Sequence, residues 1–512
     1  MSPLQGNICL LAVTFVWSFE VIVHAAIPHG ISPFATSCVT SLIGAVLLWG
    51  YFFRRIILVL KWHRDVYARR LLLLGVLNAI YNVLYLIGLE YFNVSVGAFT
   101  ASMTAVILPV MVLVMKHSIS ARSWISAGMI LFGILVAVSP NVGQNEIPGL
   151  ALMALGAMFR ALFIVKLNEY AQVYDPVTLA AGLTGVSAVL SFIPWAIVQP
   201  ATFLALPWSG RLIATYFIYG YFIVAFATVL NIYAQKRTSA THATIIYSTE
   251  IVFTTVWAMF LPSVIVHHVE ITLPVVIGCL FVVAGNLIEI SPSKDDEKGH
   301  WKKDAEDDVM IRVSHPYARL LDSTKTPFGR SVLLFAALLV VYLVIALPFK
   351  VLLVIPGFSD IRPVYMLYPV YGIFFGVPGC LATAFGNLIC DVVSDGLRLS
   401  SISGFIANFL YPYILYILWT KVPKTRFCLR RRRMLTAFVA SFAICSVLQA
   451  LIITPAVAHF YPDVDAGLFA LSVIGNGTLF PFFFAVPFIM LMQEELGYKP
   501  LTGPRMAKAQ EA

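Results

Sequence analysis

The sequence predicts an all-α polytopic membrane protein: a ten-helix bundle built as five-plus-five inverted repeats, followed by a separate six-helix membrane domain. Three observations predict it. The chain of 512 residues is 60% apolar and only 12% charged, with a mean hydropathy of +0.88, more apolar surface than a soluble globule could hide. Its apolar residues fall into stretches long enough to cross a bilayer, where a helix must satisfy its own backbone hydrogen bonds over about 20 residues. One charged island, 291–330, divides those stretches into two blocks.

Ten spans precede the island, near 6–26, 32–53, 70–89, 95–115, 122–140, 147–167, 175–198, 211–234, 240–262 and 271–290. Six follow it, near 331–353, 363–376, 378–396, 402–420, 434–456 and 466–492. The first begins close to Met1 without a basic flank or a small-residue cleavage site, so it reads as a permanent helix. The short span 363–376 ends on the tight turn Gly376, Val377, Pro378, Gly379, and could equally be one arm of a re-entrant pair. The expected organisation is a first domain over 1–290, a linker over 291–330, a second domain over 331–495 and a cytoplasmic tail over 496–512.

Basic residues set the expected orientation. With the N-terminus cytoplasmic, Arg54, Arg55, Lys61, Arg64, Arg69 and Arg70 share a side with Lys116, Arg122, Lys166, Lys236 and Arg237; only Arg211 falls at an outer end. Ten crossings leave the island inside, and four more bring Lys424, Arg426 and the run Arg430, Arg431, Arg432, Arg433 there too. Both blocks obey the positive-inside rule, which puts both termini in the cytoplasm and the chain in the plasma (cytoplasmic) membrane. The same distribution explains the net charge of +9 as topology and contact with membrane lipid, with no nucleic-acid partner implied.

Enzyme classes find no support. The seven cysteines (Cys9, Cys38, Cys279, Cys380, Cys390, Cys428, Cys445) form no CxxC pair, so small buried thiols are expected rather than a zinc or disulfide framework. No GxxxxGK[ST] loop, HExxH helix or GxSxG elbow occurs, and no metal or cofactor is expected. The energy source would be a gradient or a separate subunit.

The ten spans split into two sets of five, and an odd number inverts the second set across the membrane. Weak echoes mark the halves: Val96 to Met115 followed by Trp124, Gly128 and Gly133, against Ala240 to Phe260 followed by Gly278 and Gly285. Inverted five-helix repeats suit alternating access, because two half-bundles can rock about a site at their interface.

Three ionisable residues lie at membrane depth: Glu20 in the first span, Arg160 in the sixth and Glu250 in the ninth. A charge there costs at least about 2.5 kcal/mol, so it normally faces a partner or a wet cavity. The carboxyls read as substrate- or proton-binding groups, or as partners of Arg160 in an ion pair that locks the bundle. Trp17, Glu20 and His24 share one helical face; an aromatic ring beside a carboxylate suits a cationic substrate, and equally ordinary packing. Tyr81, Asn82 and Tyr85 in the third span, Asn231 in the eighth and Tyr247 in the ninth would complete a polar cavity or bridge helices by hydrogen bonds. His267 and His268 read as solvated loop residues.

The segment Ala234 to Phe253, AQKRTSATHATIIYSTEIVF, resembles the second-half signature of EamA-type carriers of the drug/metabolite transporter superfamily. Its first-half counterpart is Val94 to Val112, VSVGAFTASMTAVILPVMV, with Pro109 at the motif's proline; Trp17 and Ser18 match the small-Trp-small pattern near that family's start. The resemblance implies a ten-helix carrier with both ends cytoplasmic, moving amino acids, nucleosides, amines or similar metabolites. The chain departs from the signature at Ile251, where a proline is usual, and at LPSVIVHHVE, which replaces a short Gly-Glu turn.

In the second block, Arg362 to Asp395 carries a ladder of small residues (Gly372, Gly376, Gly379, Ala382, Gly386) that lets two helices pack closely about a tight turn. The polar residues Asn387, Asp391 and Asp395 follow. This segment resembles the hairpin of the substrate-binding S components of energy-coupling factor (ECF) vitamin transporters. That resemblance implies a vitamin-like ligand near the outer face, with Asn387, Asn408, Tyr411, Gln449, His459 and Asn476 as candidate contacts, and Asp391 as a scaffold residue at the hairpin's end or a further contact. It also implies docking to a separate ATPase module, although the family's docking motif is only partly present in Ala336, Ala337, Val340 and Val341.

The expectation is therefore a secondary carrier of a small polar metabolite, coupled by exchange or by a proton, with a fused binding module. An ECF-type vitamin uptake component and a membrane-anchored sensor or scaffold are the alternatives. The island reads as a mixed-charge tether, with an amphipathic stretch in VMIRVSHPYARLLD.

Overall fold

The computed structural model describes residues 3–20, 23, 27–28, 31–89, 94–115, 119–138, 147–202, 206–236, 238–260, 273–290, 327–352, 361–394, 396–398, 400–421, 427, 429, 431–462, 464–498 and 500–501. His24, Lys116, Arg237, His267, His268, Asp395, Lys424, Arg426, Cys428, Arg430 and most of the linker and tail lie outside the described residues. The described residues contain helices and turns but no strand. Nine of their helices are long and apolar enough to cross a membrane. The chain divides into two compact units, Met1–Ile311 and Arg312–Ala512.

The first unit contains α1 (Pro3–Ser18), α2 (Pro33–Leu89), α3 (Val94–Val114), α4 (Ala121–Val138) and α5 (Ile147–Ala171). It continues with α6 (Pro176–Val198), α7 (Gly210–Gln235), α8 (Ala240–Tyr247), α9 (Glu250–Phe260) and α10 (Leu273–Ile290). The second and third expected spans run on as the single helix α2, which has 57 residues and would measure about 85 Å if straight. It is bent back on itself. Ser37 bonds Ser191 of α6 (2.9 Å) and Asn78 bonds Ser187, one turn away (3.3 Å), so two arms lie side by side on α6. The bend falls in the basic segment 54–69, which has no proline or glycine and stays helical throughout. Beside it Arg55 pairs with Asp175 (2.5 Å), and Asp175 also caps α6 by accepting from the Thr178 backbone N–H (2.9 Å).

Packing in the first unit repeats with the two halves exchanged. α1 packs on α7, α8 and α9, while α5 packs on α3 and on the second arm of α2. The first arm of α2 meets α7 through Gly44 and Gly220; the second arm meets α6 through Gly75 and Gly182. α4 and α10 cross between the halves, where a Cβ on Gly133 would stand 2.6 Å from the Gly278 carbonyl oxygen, and one on Gly278 2.5 Å from that of Gly133. This reciprocity is what two five-pass repeats related by a two-fold axis in the membrane plane produce. Two local features break the regular helices: a π-helical stretch in α7 over Tyr219–Phe226, and the break at Ser248 and Thr249 that separates α8 from α9.

The second unit contains α11 (Pro327–Leu352), a single 3-10 turn (Pro363–Met366), α12 (Leu367–Phe375) and α13 (Val377–Ser394). α14 (Ser400–Lys421), α15 (Arg432–Phe460) and α16 (Ala466–Glu494) complete it. The small-residue ladder is where these helices touch. A Cβ on Gly372 would stand 2.4 Å from the Pro412 carbonyl oxygen of α14, and one on Gly386 2.2 Å from the Tyr342 ring of α11. Gly376 joins α12 to α13 with φ of +61°, between the side chains of Leu501 and Tyr416. Gly376→Ala is therefore expected to cost about 1–3 kcal/mol, the strain of a Cβ at positive φ with ψ of −137°, seen as a lower thermal midpoint in detergent. Gly475→Ala, whose Cβ would meet nothing within 4 Å, should leave that midpoint unchanged or raise it.

Candidate functional site

A cavity of about 190 Å³ lies between the halves of the first unit. One wall is a hydroxyl face on the first arm of α2, where Thr36 with Thr40 and Ser37 with Ser41 recur at the four-residue spacing that stacks side chains on a helix. The second arm supplies Asn78, Tyr81, Asn82 and Tyr85 on the same principle. Trp17 of α1 and Glu20 just beyond it, Arg160 of α5, Thr184 and Ser187 of α6, Tyr219 and Asn231 of α7, and Glu250 at the start of α9 also line it.

The three ionisable residues are held in three different ways. Arg160 donates from Nη1 to the Tyr81 hydroxyl (2.6 Å), and its guanidinium lies 5.0 Å from the centre of that ring and 5.4 Å from that of Trp17, a cation-π clamp on a desolvated charge. No carboxylate oxygen among the described residues lies within 4.0 Å of it, so the locking ion pair with Glu20 or Glu250 that the sequence allows is not formed. Glu20 is half-buried and its Oε1 accepts from the Tyr219 hydroxyl at 2.5 Å. Glu250 is only 8% exposed, and its Oε2 has no hydrogen-bond partner among the described residues.

Tyr247 stands behind the wall rather than in it. Its ring packs on Trp17 with centroids 5.1 Å apart, and its hydroxyl donates to Asn231 Oδ1. Gln235 Nε2 donates both to that hydroxyl (2.9 Å) and to Asn231 Oδ1 (3.0 Å). This buried triad fixes the indole that clamps Arg160. Tyr219, Gln235 and the hydroxyl face of α2 are cavity-building residues that the sequence reading passes over; only the last carries a signal, its four-residue recurrence.

The sequence profile of the EamA-like transporter family matches the chain twice, over residues 4–139 and 147–288. The chain belongs to the EamA-like transporter family. Each match covers one of the two halves that packing relates, α1 to α4 and α5 to α10, so each half is one copy of the family's repeat. As an EamA-like protein it is an integral, multi-pass membrane transporter of the drug/metabolite transporter superfamily. One solved crystal structure aligns over 56% of this chain and 96% of its own length, at 16% identity and a TM-score of 0.45. No curated protein matches the chain.

A second polar cluster lies in the EamA-like unit, away from the cavity lining. His242 of α8 approaches Asn7 Oδ1 of α1 through Nε2 (2.7 Å) and Glu289 Oε1 of α10 through Nδ1 (3.1 Å), and Ser123 of α4 donates to the same Glu289 oxygen (3.1 Å). Four helices, two from each EamA-like half, are tied there.

Outside the EamA-like unit, the second-domain candidates separate into two groups. Asn408 lies in the core: its Oδ1 accepts from the Tyr368 hydroxyl and from Gln449 Nε2 (2.8 Å), and its amide donates to the Gly404 carbonyl (2.7 Å). Tyr411, fully buried beside it, donates to the Gly477 carbonyl (2.6 Å). Asn387, Asp391 and Asn476 gather instead around Arg362, whose Nη1 donates to Asn387 Oδ1 (3.2 Å) and whose backbone N–H donates to Asn476 Oδ1 (2.9 Å). Asn387 Nδ2 donates to Asp391 (3.1 Å). The cavity beside Arg362 and Asn387 measures about 20 Å³, the room of one water molecule. His459 is exposed near the end of α15.

Proposed function

We propose that the chain is a secondary carrier of a small polar metabolite bearing an amino group, an amine or an amino acid, and that it works by alternating access. The observation that carries this reading is the cavity at the interface of the two inverted halves, with Glu20, Glu250 and Arg160 on its wall. Carboxyls recognise an ammonium group, and the guanidinium N–H groups left over from Tyr81 can donate to a substrate carboxylate or hydroxyl. The cavity volume suits a small molecule, and an interface between inverted repeats is where rocking halves expose a site alternately to either side. The coupling ion of this reading is a proton, with substrate exchange as the other mode. In this reading both termini are cytoplasmic, which the basic segments support, and the membrane is the plasma membrane.

The test is uptake of radiolabelled amines and L-amino acids by proteoliposomes that contain this protein alone. Glu20→Gln is expected to lower uptake by about tenfold to a hundredfold, the worth of one charge-assisted hydrogen bond, while the variant inserts and purifies like the parent. Uptake unchanged in Glu20→Gln would sink the reading.

For the second unit the α12–α13 hairpin, packed through Gly372, Gly379 and Gly386, supports a fused module like an ECF S component that binds a vitamin-like ligand. A sensor or scaffold built on the same helices is the other possibility. The same proteoliposomes separate them from the carrier reading, because ECF-type uptake requires an added ATPase module and the carrier requires none.

A further inference from the structure

We propose that Glu250 holds the coupling proton and that a substrate ammonium displaces it on binding, while Glu20 stays an anionic anchor. This deepens the carrier reading and rests on it. Two carboxyls share one cavity, but only one of them is provided for. Glu20 receives the Tyr219 hydroxyl at 2.5 Å. Glu250 is buried, and its Oε2 meets no donor among the described residues.

The neighbours of Glu250 explain why a proton should sit there. Glu20 from beyond the end of α1, Tyr81 and Tyr85 from the second arm of α2, and Arg160 from α5 line the same cavity. Tyr219 of α7 is committed to Glu20. α1 and α3, also packed against α9, carry no charged residue, and Glu289 of α10, which packs there too, is bonded to Ser123 and His242. Arg160 is the cation of the group, yet it is clamped on Trp17 and Tyr81 rather than paired with either carboxylate. With Glu20 ionised and Arg160 charged, the set is neutral only when Glu250 is protonated. A buried carboxylate without donors is the costlier state in a membrane interior.

The exchange then balances. The O–H bond of the Glu250 carboxylic acid breaks, its proton leaves to water on the side the cavity faces, and the carboxylate pairs with R–NH₃⁺. One positive charge enters and one leaves.

Infrared difference spectra of the purified full-length protein at neutral pH test the resting state. A protonated-carboxyl band is expected in the parent and in Glu20→Gln, and its absence in Glu250→Gln, an uncharged variant of nearly the same shape. A band that survives in Glu250→Gln and disappears in Glu20→Gln overturns the assignment. A panel of primary amines and the L-amino acids, added to weakly buffered protein with a pH indicator, tests the exchange: about one proton released per ligand bound in the parent, and none from Glu250→Gln. Thermal stabilisation of the parent by a panel member without proton release overturns the displacement step. If no member stabilises the parent, the amine-carrier reading fails with that step, and the infrared band still decides where the resting proton sits.

Discussion

Replacing Arg160 with alanine is expected to reduce transport by about a hundredfold or more and to lower the thermal midpoint as well. The guanidinium does three things at once: it donates to Tyr81, lies against the rings of Tyr81 and Trp17, and supplies the positive charge of a cavity that also contains Glu20 and Glu250. Removing it leaves two carboxyls on the wall of one cavity without their cation, and a ring clamp that has nothing to hold. A hydrogen bond from a charged group contributes about 1.5–3 kcal/mol and a desolvated cation-π contact about 2 kcal/mol, and each 1.4 kcal/mol is tenfold in affinity or rate. Arg160→Lys separates the contributions. It keeps the charge but loses the flat face that stacks between two rings, so binding should weaken about tenfold while the folded protein survives. Uptake in proteoliposomes and thermal unfolding in detergent read both effects. Parent-like uptake by Arg160→Ala would mean that substrate does not pass through this cavity.

What the sequence discloses here depends on whether the physics is local. The spans are legible because lipid requires runs of about 20 apolar residues, and Glu20, Arg160 and Glu250 are legible because charges are rare at that depth. The fusion of two spans into α2 is not. Arg54 to Arg69 reads as a loop because it is charged, yet charge alone does not end a helix, and the segment has no glycine or proline to do so. Tyr219 is hidden for another reason: among Tyr216, Phe217, Tyr221 and Phe222 it looks like one more packing aromatic, and its role depends on Glu20, 199 residues away in sequence. The break before Glu250 falls inside an apolar run, at Ser248, whose hydroxyl bonds back to the Ile245 carbonyl (2.7 Å) and competes with the helix ladder. The cluster of Asn7, Ser123, His242 and Glu289 joins positions up to 235 apart. No spacing rule reaches that far.

A single methyl group between α4 and α10 is expected to destabilise the first unit and to reduce transport. Gly278→Ala would put its Cβ 2.5 Å from the Gly133 carbonyl oxygen and 2.7 Å from the Ala137 Cβ, and Gly133→Ala would put its own 2.6 Å from the Gly278 carbonyl oxygen. The opposing atoms are mostly backbone, so no rotamer change relieves the clash and the helices must part. Overpacking of this kind costs about 1–3 kcal/mol. In lipid the close approach of small residues is itself the adhesive between helices, so parting them loses dispersion contacts along the whole crossing. Gly128→Ala, with nothing within 4 Å of its Cβ, is the control on α4. The decisive measurement is the double variant. If the two glycines mark one reciprocal contact, the first methyl already separates α4 from α10 and the second finds room. The loss of thermal stability in Gly133→Ala with Gly278→Ala should then fall well short of the sum of the single variants. Additive losses would mean two independent contacts. Because α4 and α10 come from different repeats, the same separation shifts the surface on which the halves rock. Transport should therefore fall in both single variants, and in the double by little more than in either.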